Sequence, residues 1–401
     1  MKTLKWYFLL LLISSCSGSK DTSRLSECNI VADWVINNNK DTLLVCDVDK
    51  ASQVIMMPLS ELADYRLVRL ENTTKEMMIS PISSIYISEN YIVTVGNEYY
   101  NQIKLFDKSG KFIRPIGKAG NGPGEFVPSV FRIVIEEQQD CLFVADRKGD
   151  RMMVYSLSTG QYICQIPFAH TAIIPSFIVN LQDSTLLVTH VPMDDSPVPL
   201  WKQDFQGNLL QQISPGRFES LTGSFMLGCD EFYLRKDKSE VTLNILRNPA
   251  INDSLYHYNE ATNEVQPYFA VNFPGDVPDH WIYETSDFYM ITINGSTGGD
   301  ISSGYHNGPH KRIIIDKKTG RGAYANIVLD GYGNIPITKQ RFYMWGEYFT
   351  LTLSPEWVAE MAEKALAHPE YLKPGEKERL QALADSITEE DNTFIVYGKI
   401  K

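Results

Sequence analysis

An all-β fold, a propeller of six four-stranded blades, is what this sequence predicts, and three observations predict it. Turn signals recur: Gly110, Gly160, Gly207, Asn263 and Gly320 stand 50, 47, 56 and 57 positions apart. Each closes a hairpin of short apolar strands, and each hairpin has an apolar companion strand upstream. A period of about fifty residues holds four short strands, which is one propeller blade. Gly and Asn recur at the turns because such hairpins need a positive φ.

The ladder reads in order along the chain. Ile103–Asp107 turns at Lys108-Ser109-Gly110 and leaves through Lys111–Arg114. Met152–Tyr155 turns at Ser158-Thr159-Gly160, and Trp201–Phe205 at Gln206-Gly207-Asn208. Ser254–Tyr258 turns at Asn259–Asn263, and Arg312–Asp316 at Lys317–Gly320. The companion strands are Tyr91–Val95, Cys141–Ala145, Thr185–Thr189, Ser224–Leu227 and Phe288–Thr292. They are mostly continuous apolar runs, as expected of strands covered on both faces by neighbouring blades. A sixth blade is expected from Phe342–Trp345, Tyr348–Thr352 and Thr393–Tyr397, completed by an N-terminal strand at Tyr65–Leu70. Closure by strands from both chain ends removes the free edges of the sheet.

One segment breaks the pattern. Ser354-Pro355-Glu356 combines a capping hydroxyl, a first-turn Pro and an acidic residue, a helix start. Trp357, Met361 and Ala365 follow at helical spacing, and a second helix is expected after Pro374-Gly375 with Leu380, Leu383 and Ile387 on one face. Residues 354–388 therefore read as a helical insertion in the last blade, packed on one rim.

The amino terminus is a basic stretch, Met1–Lys5, followed by the apolar run Trp6–Ile13. That run is far below the ~20 residues of a membrane span and reads as a signal peptide, residues 1–15. Ile13-Ser14-Ser15-Cys16 resembles the bacterial lipobox, which implies cleavage before Cys16 and acylation of that residue. Residues 16–27 then read as the lipidated Cys and a flexible tether, and residues 28–401 as the propeller. Five further cysteines, Cys28, Cys46, Cys141, Cys164 and Cys229, leave at least one thiol unpaired. Cys141, Cys164 and Cys229 lie in or beside apolar segments and are expected to be buried free thiols; a Cys28–Cys46 bridge is left open by spacing.

Gly120-Asn121-Gly122-Pro123-Gly124-Glu125-Phe126, Phe143-Val144-Ala145-Asp146 and the Phe106–Ile113 hairpin resemble NHL-type repeats. Over residues 40–401 the chain is similar to the six-bladed β-propeller lipoproteins numerous in gut-dwelling Gram-negative bacteria. The lipobox start, the early GxGPGEF unit and the tail Ile387–Asn392 carry the likeness; Thr393 stands where that family usually has Pro. The resemblance implies a cell-envelope protein, an outer-membrane lipoprotein, and supplies no catalytic residue.

Chemistry is sparse by comparison. The Gly120–Gly124 loop lacks the Lys-Ser/Thr and the following helix of a phosphate cradle, and reads as a turn whose Glu125 bonds nearby amides. Neither G-x-S-x-G nor H-E-x-x-H is present. His306 and His310 sit four apart in a Gly- and Pro-containing stretch, which favours a loop over a metal pair. Asp194, Asp195, Asp276 and Asp279 are loop acids from which a calcium site would have to be drawn. The most suggestive stretch is 272–308, where Trp281, Tyr283, Tyr305 and His306 accompany amides and carboxylates, the pairing that sugar and peptide sites use. A net charge of −12 argues against nucleic acid and against electrostatic adhesion to anionic lipid. The expectation is a binding or scaffolding module for a glycan, peptide or partner protein, without a cofactor, touching the membrane only through its lipid. The alternative is a lactonase- or lyase-like propeller enzyme with a metal in the central channel.

Overall fold

The computed structural model describes residues 24–401 except 38–39, 75–76, 79–81, 97–101, 128–129, 147, 173–174, 191–196, 216–232, 238–239, 245–253, 279, 296–307, 341 and 389. Three strands precede the repeats: β1 (Ala32–Ile36), β2 (Thr42–Asp47) and β3 (Val54–Pro58). One helical turn, α1 (Leu59–Leu62), leads into β4 (Ala63–Arg69). Blade one is β5 (Ile82–Ile87), β6 (Tyr91–Gly96), β7 (Ile103–Asp107) and β8 (Phe112–Ile116). Blade two is β9 (Val130–Glu136), β10 (Cys141–Asp146), β11 (Arg151–Ser156) and β12 (Tyr162–Pro167). Blade three is β13 (Ser176–Asn180), β14 (Thr185–Thr189), β15 (Leu200–Asp204) and β16 (Leu209–Gln212). Blade four is β17 (Tyr233–Asp237), β18 (Glu240–Asn244), β19 (Ser254–Asn259) and β20 (Glu264–Asn272). Blade five is β21 (His280–Glu284), β22 (Phe288–Gly295), β23 (Gly308–Asp316) and β24 (Gly322–Leu329), with the short β25 (Ile335–Pro336). Blade six takes β26 (Tyr343–Trp345), β27 (Tyr348–Leu353) and β28 (Phe394–Ile400) from the C-terminus and β4 from the N-terminus. The fold is a six-bladed β-propeller. Its closing register runs from Phe394 opposite Arg69 to Ile400 opposite Ala63.

The five predicted turn residues all adopt the left-handed conformation, with φ of 89°, 73°, 85°, 58° and 66° at Gly110, Gly160, Gly207, Asn263 and Gly320. A polar residue opens each of four turns: Asp107, Asp204, Asn259 and Asp316 accept with Oδ1 from the amide two residues on. The turns also bridge blades. The Gly110 carbonyl accepts from Glu71 N and the Gly160 carbonyl from Gly117 N, each just beyond the outer strand of the preceding blade.

The continuous apolar runs are explained by β10. Leu142 and Val144 pack with Val93, Val95 and Leu105 of blade one, whereas Phe143 and Ala145 pack with Leu186, Val188 and Trp201 of blade three. Successive side chains point to opposite faces, and both faces are buried.

The N-terminal strands were not expected from the sequence. β2 pairs in parallel with β20, and β1 lies antiparallel on β2, so the blade-four sheet has six strands. β3 pairs in parallel with β24 on blade five. Together they form a strap outside two blades, and Val31 N and Ala32 N donate to the Gly320 carbonyl. One companion strand is also corrected. The strand beside β19 is β18, whose polar sequence gives no apolar run; Ser224–Leu227 lies outside the described residues.

The helical insertion is present as α2 (Pro355–Leu366) and α3 (Glu376–Ser386), between β27 and β28. Ser354 caps α2, its Oγ accepting from Trp357 N at 3.2 Å. Val358 and Met361 join the core of blades five and six, and Ala362 and Ala365 pack on Leu380 of α3. Cys28 and Cys46 are buried free thiols in separate core clusters, which excludes the bridge that spacing left open. Burial pushes Cys46 up to about 12. Cys141 is free and half-buried; Cys164 is free but exposed, because it sits on the outer strand β12, and Cys229 lies outside the described residues.

Candidate functional site

The two ends of the ring differ. First-to-second and third-to-fourth strand connections are tight turns such as 88–90, 108–111, 137–140, 260–263 and 285–287. Second-to-third and blade-to-blade connections leave the other end, and the long connections are all among them: 117–129, 190–199, 213–232, 245–253, 296–307 and 354–393, which holds the helical insertion. Antiparallel alternation roots all of these connections at one end of the ring, on a rigid base of strands.

Two buried cations tether that face. Lys104, opposite Thr94 in blade one, donates to Met78 O at 2.7 Å in the connection entering its blade. Arg312, opposite Thr292 in blade five, donates to Ile337 O at 2.7 Å and to Gln340 O, in the connection entering blade six. Burial lowers the Arg312 guanidinium to about 10, with the nearby Tyr283 acting the other way, so it stays charged at neutral pH.

The expected binding aromatics separate into two pairs. Trp281 and Tyr283 lie on β21 at 6% and 2% exposure, within the core shared with blade six. The Tyr283 hydroxyl donates to Phe342 O at 2.7 Å, and the Trp281 ring meets His310 edge-on at 6.5 Å. The expectation that these two rings are exposed for ligand is therefore corrected: β21 is an inner strand covered on both faces. Tyr305 and His306 lie in 296–307, outside the described residues, as does Cys16.

The densest polar convergence was not foreseen. The Glu284 carboxylate, 6% exposed, accepts from Thr242 Oγ1 at 2.8 Å, His257 Nε2 at 2.9 Å, Tyr289 OH at 3.2 Å and Lys317 Nζ at 2.6 Å. His257 stacks on Tyr268 with ring centroids 3.8 Å apart. Burial alone would raise the Glu284 carboxyl; the His257 hydrogen bond and the charges of His257 and Lys317 outweigh it and hold the group at about 2. Its donors come from blades four and five and occupy both oxygens, so the cluster joins blades rather than presenting a free acid. Sequence carried one faint signal, an acidic residue ending an otherwise apolar strand.

Glu125 does bond the Gly-rich loop, accepting from Gly122 N at 2.8 Å, and a Cβ at Gly120 would lie 2.0 Å from its Oε2. The loop is filled from within by its own carboxylate. Among the described residues no three His, Cys, Asp or Glu side chains gather as a metal site. Of the four loop acids only Asp276 is described, and it is exposed. A surface groove of about 290 Å³ lies between Arg69–Asn72 and Ser109–Lys111, where blade six meets blade one.

The chain matches the family described as a domain of unknown function, DUF4934, over residues 43–399, and it belongs to that family. Among solved structures it is similar to a protein of Bacteroides fragilis described as exported. That likeness has 15% identity and a TM-score of 0.58, covering 87% of this chain and all of that one. A member of the DUF4221 family from Bacteroides vulgatus is 10% identical with a TM-score of 0.47 over 85% of this chain and 97% of its own, too weak to carry an argument. No curated relative matches the sequence. Among the described residues no helix is long and apolar enough to cross a membrane.

Proposed function

We propose that this chain is a lipid-anchored cell-envelope propeller, with NHL-like repeats, that binds a glycan, peptide or partner protein through its long-connection face. One observation carries the reading: every long connection leaves the same end of the ring, while the opposite end carries tight turns. Binding residues concentrate on loops held by a rigid scaffold. In this reading Cys16 carries the acyl anchor of an outer-membrane lipoprotein, and Tyr305 and His306, in the connection between β22 and β23, contribute to the face. No cofactor is assigned.

The test is binding of the mature protein to glycan and peptide arrays, with and without calcium. Hits weakened about tenfold in the Tyr305→Ala, His306→Ala double variant, with unchanged circular dichroism, support the face. Hits indifferent to those changes and to shortening of 213–232 overturn it. Binding that requires calcium would put a cation at the face and correct the cofactor assignment.

A further inference from the structure

We propose that the side wall formed by β1 and β3 rests on the lipid bilayer, so that the propeller stands edge-on to the membrane with both ring faces open to water. This rests on the lipid-anchor reading above.

The strap exposes apolar side chains that its own fold covers only in part; Trp34 meets the Tyr268 ring edge-on at 5.6 Å and is otherwise open. On β1, Trp34 is 54% and Ile36 73% exposed, with Val35 and the neighbouring Ile30 also exposed. On β3, Val54 is 64% and Met56 56% exposed. These strands are the outermost of adjacent blades. Asn29 ties the two strands' segments together, its N donating to Gln53 Oε1 at 2.8 Å and its Nδ2 to Ser52 Oγ at 3.2 Å. A free edge strand ordinarily carries Lys or Pro; β1 carries Asp33 alone, which pairs with Lys50 at 3.2 Å. Tryptophan among aliphatic residues is the composition of a membrane interface.

The position of the anchor selects lipid as the occupant. Arg24 Nε donates to Glu61 at 2.7 Å, on α1, which continues directly from β3. Leu25 packs in the same core cluster as Met57 and Leu59. Cys16 precedes Arg24 by eight residues, a reach of at most about 28 Å whatever the conformation between them. An acylated Cys16 therefore keeps the bilayer surface within about 28 Å of Arg24 and so within reach of α1 and β3. The open backbone edge of β1 limits the depth: unpaired peptide groups do not enter hydrocarbon, so side chains dip while the strand stays at headgroup level. Attraction to anionic lipid is not needed, consistent with a net charge of −12.

The experiment uses the mature lipoprotein in liposomes whose acyl chains carry bromine near the headgroup or near the bilayer centre. The emission of Trp34 is taken as the difference between wild type and Trp34→Phe. The expected result is about twofold quenching of that difference by shallow bromine and little by deep bromine. An intact mass without acyl chains on Cys16 overturns the anchor reading, and this inference with it. Acylated protein whose Trp34 emission is unquenched overturns this inference alone. Cross-links between copies, or to another envelope protein, that disappear in Trp34→Glu would assign the wall to a protein partner and also overturn it.

Discussion

Glu284 shows what a single buried carboxylate does in this ring. Its folded value of about 2 lies below the ordinary 4.5, so ionisation favours the folded state. Its contribution, about 3 kcal/mol, is present in full above pH 4.5 and is lost as pH falls toward 2. Glu284→Gln should lower unfolding stability by about that amount at pH 7, with the gap to wild type closing in acid. Denaturant midpoints across pH measure this; a gap constant with pH would remove the carboxylate from the account. At this scale the sequence is least legible. Trp281 and Tyr283 read as exposed binding aromatics because they sit among polar neighbours, but β21 is the inner strand of its blade, and packing against blade six buries them. Glu284 was passed over because its donors, His257 and Lys317, lie 27 and 33 positions away in sequence.

Elements were far more legible, and the reason is local chemistry. Each turn residue is fixed by its own φ and, in four blades, by an Asp or Asn bonding the amide two residues on, so the signal survives where strand sequences diverge. The strap was illegible because β2 and β3 join the sheets through parallel pairing with strands more than 200 positions distant, which leaves no periodic trace. The tail motif is legible in a new sense. Asp391 bonds Arg69 and Asn72, while Asn392 Nδ2 donates to Glu71 O at 2.6 Å and Met77 O at 3.0 Å. Those residues clasp the end of β4, which explains an acidic-Asn pair just before the last strand. Asn392→Ala should cost about 2 kcal/mol by removing the donor to two half-buried carbonyls. It should also speed amide exchange in β4 and β28 before it does so in blades two and three; uniform acceleration would argue against a local clasp.

At the scale of the whole molecule, the ring is one cooperative object because blade six belongs to both chain ends. Protein truncated after Thr393 keeps five complete blades yet loses β28, the strand between β27 and β4. It should aggregate and show no cooperative melting transition; a monodisperse, sharply melting product would mean that five blades suffice. The closing contact between Arg69 and Asp391 spans 322 positions, and bringing such a pair together costs about 5 kcal/mol in chain entropy. A chain that crosses a membrane amino end first delivers β4 early and β28 last. Throughout that delay β4 waits with a bare edge. The architecture thus sets a clock: the interval between the arrival of the first and final strands is a window in which a chaperone can hold the chain, or a protease can cut it.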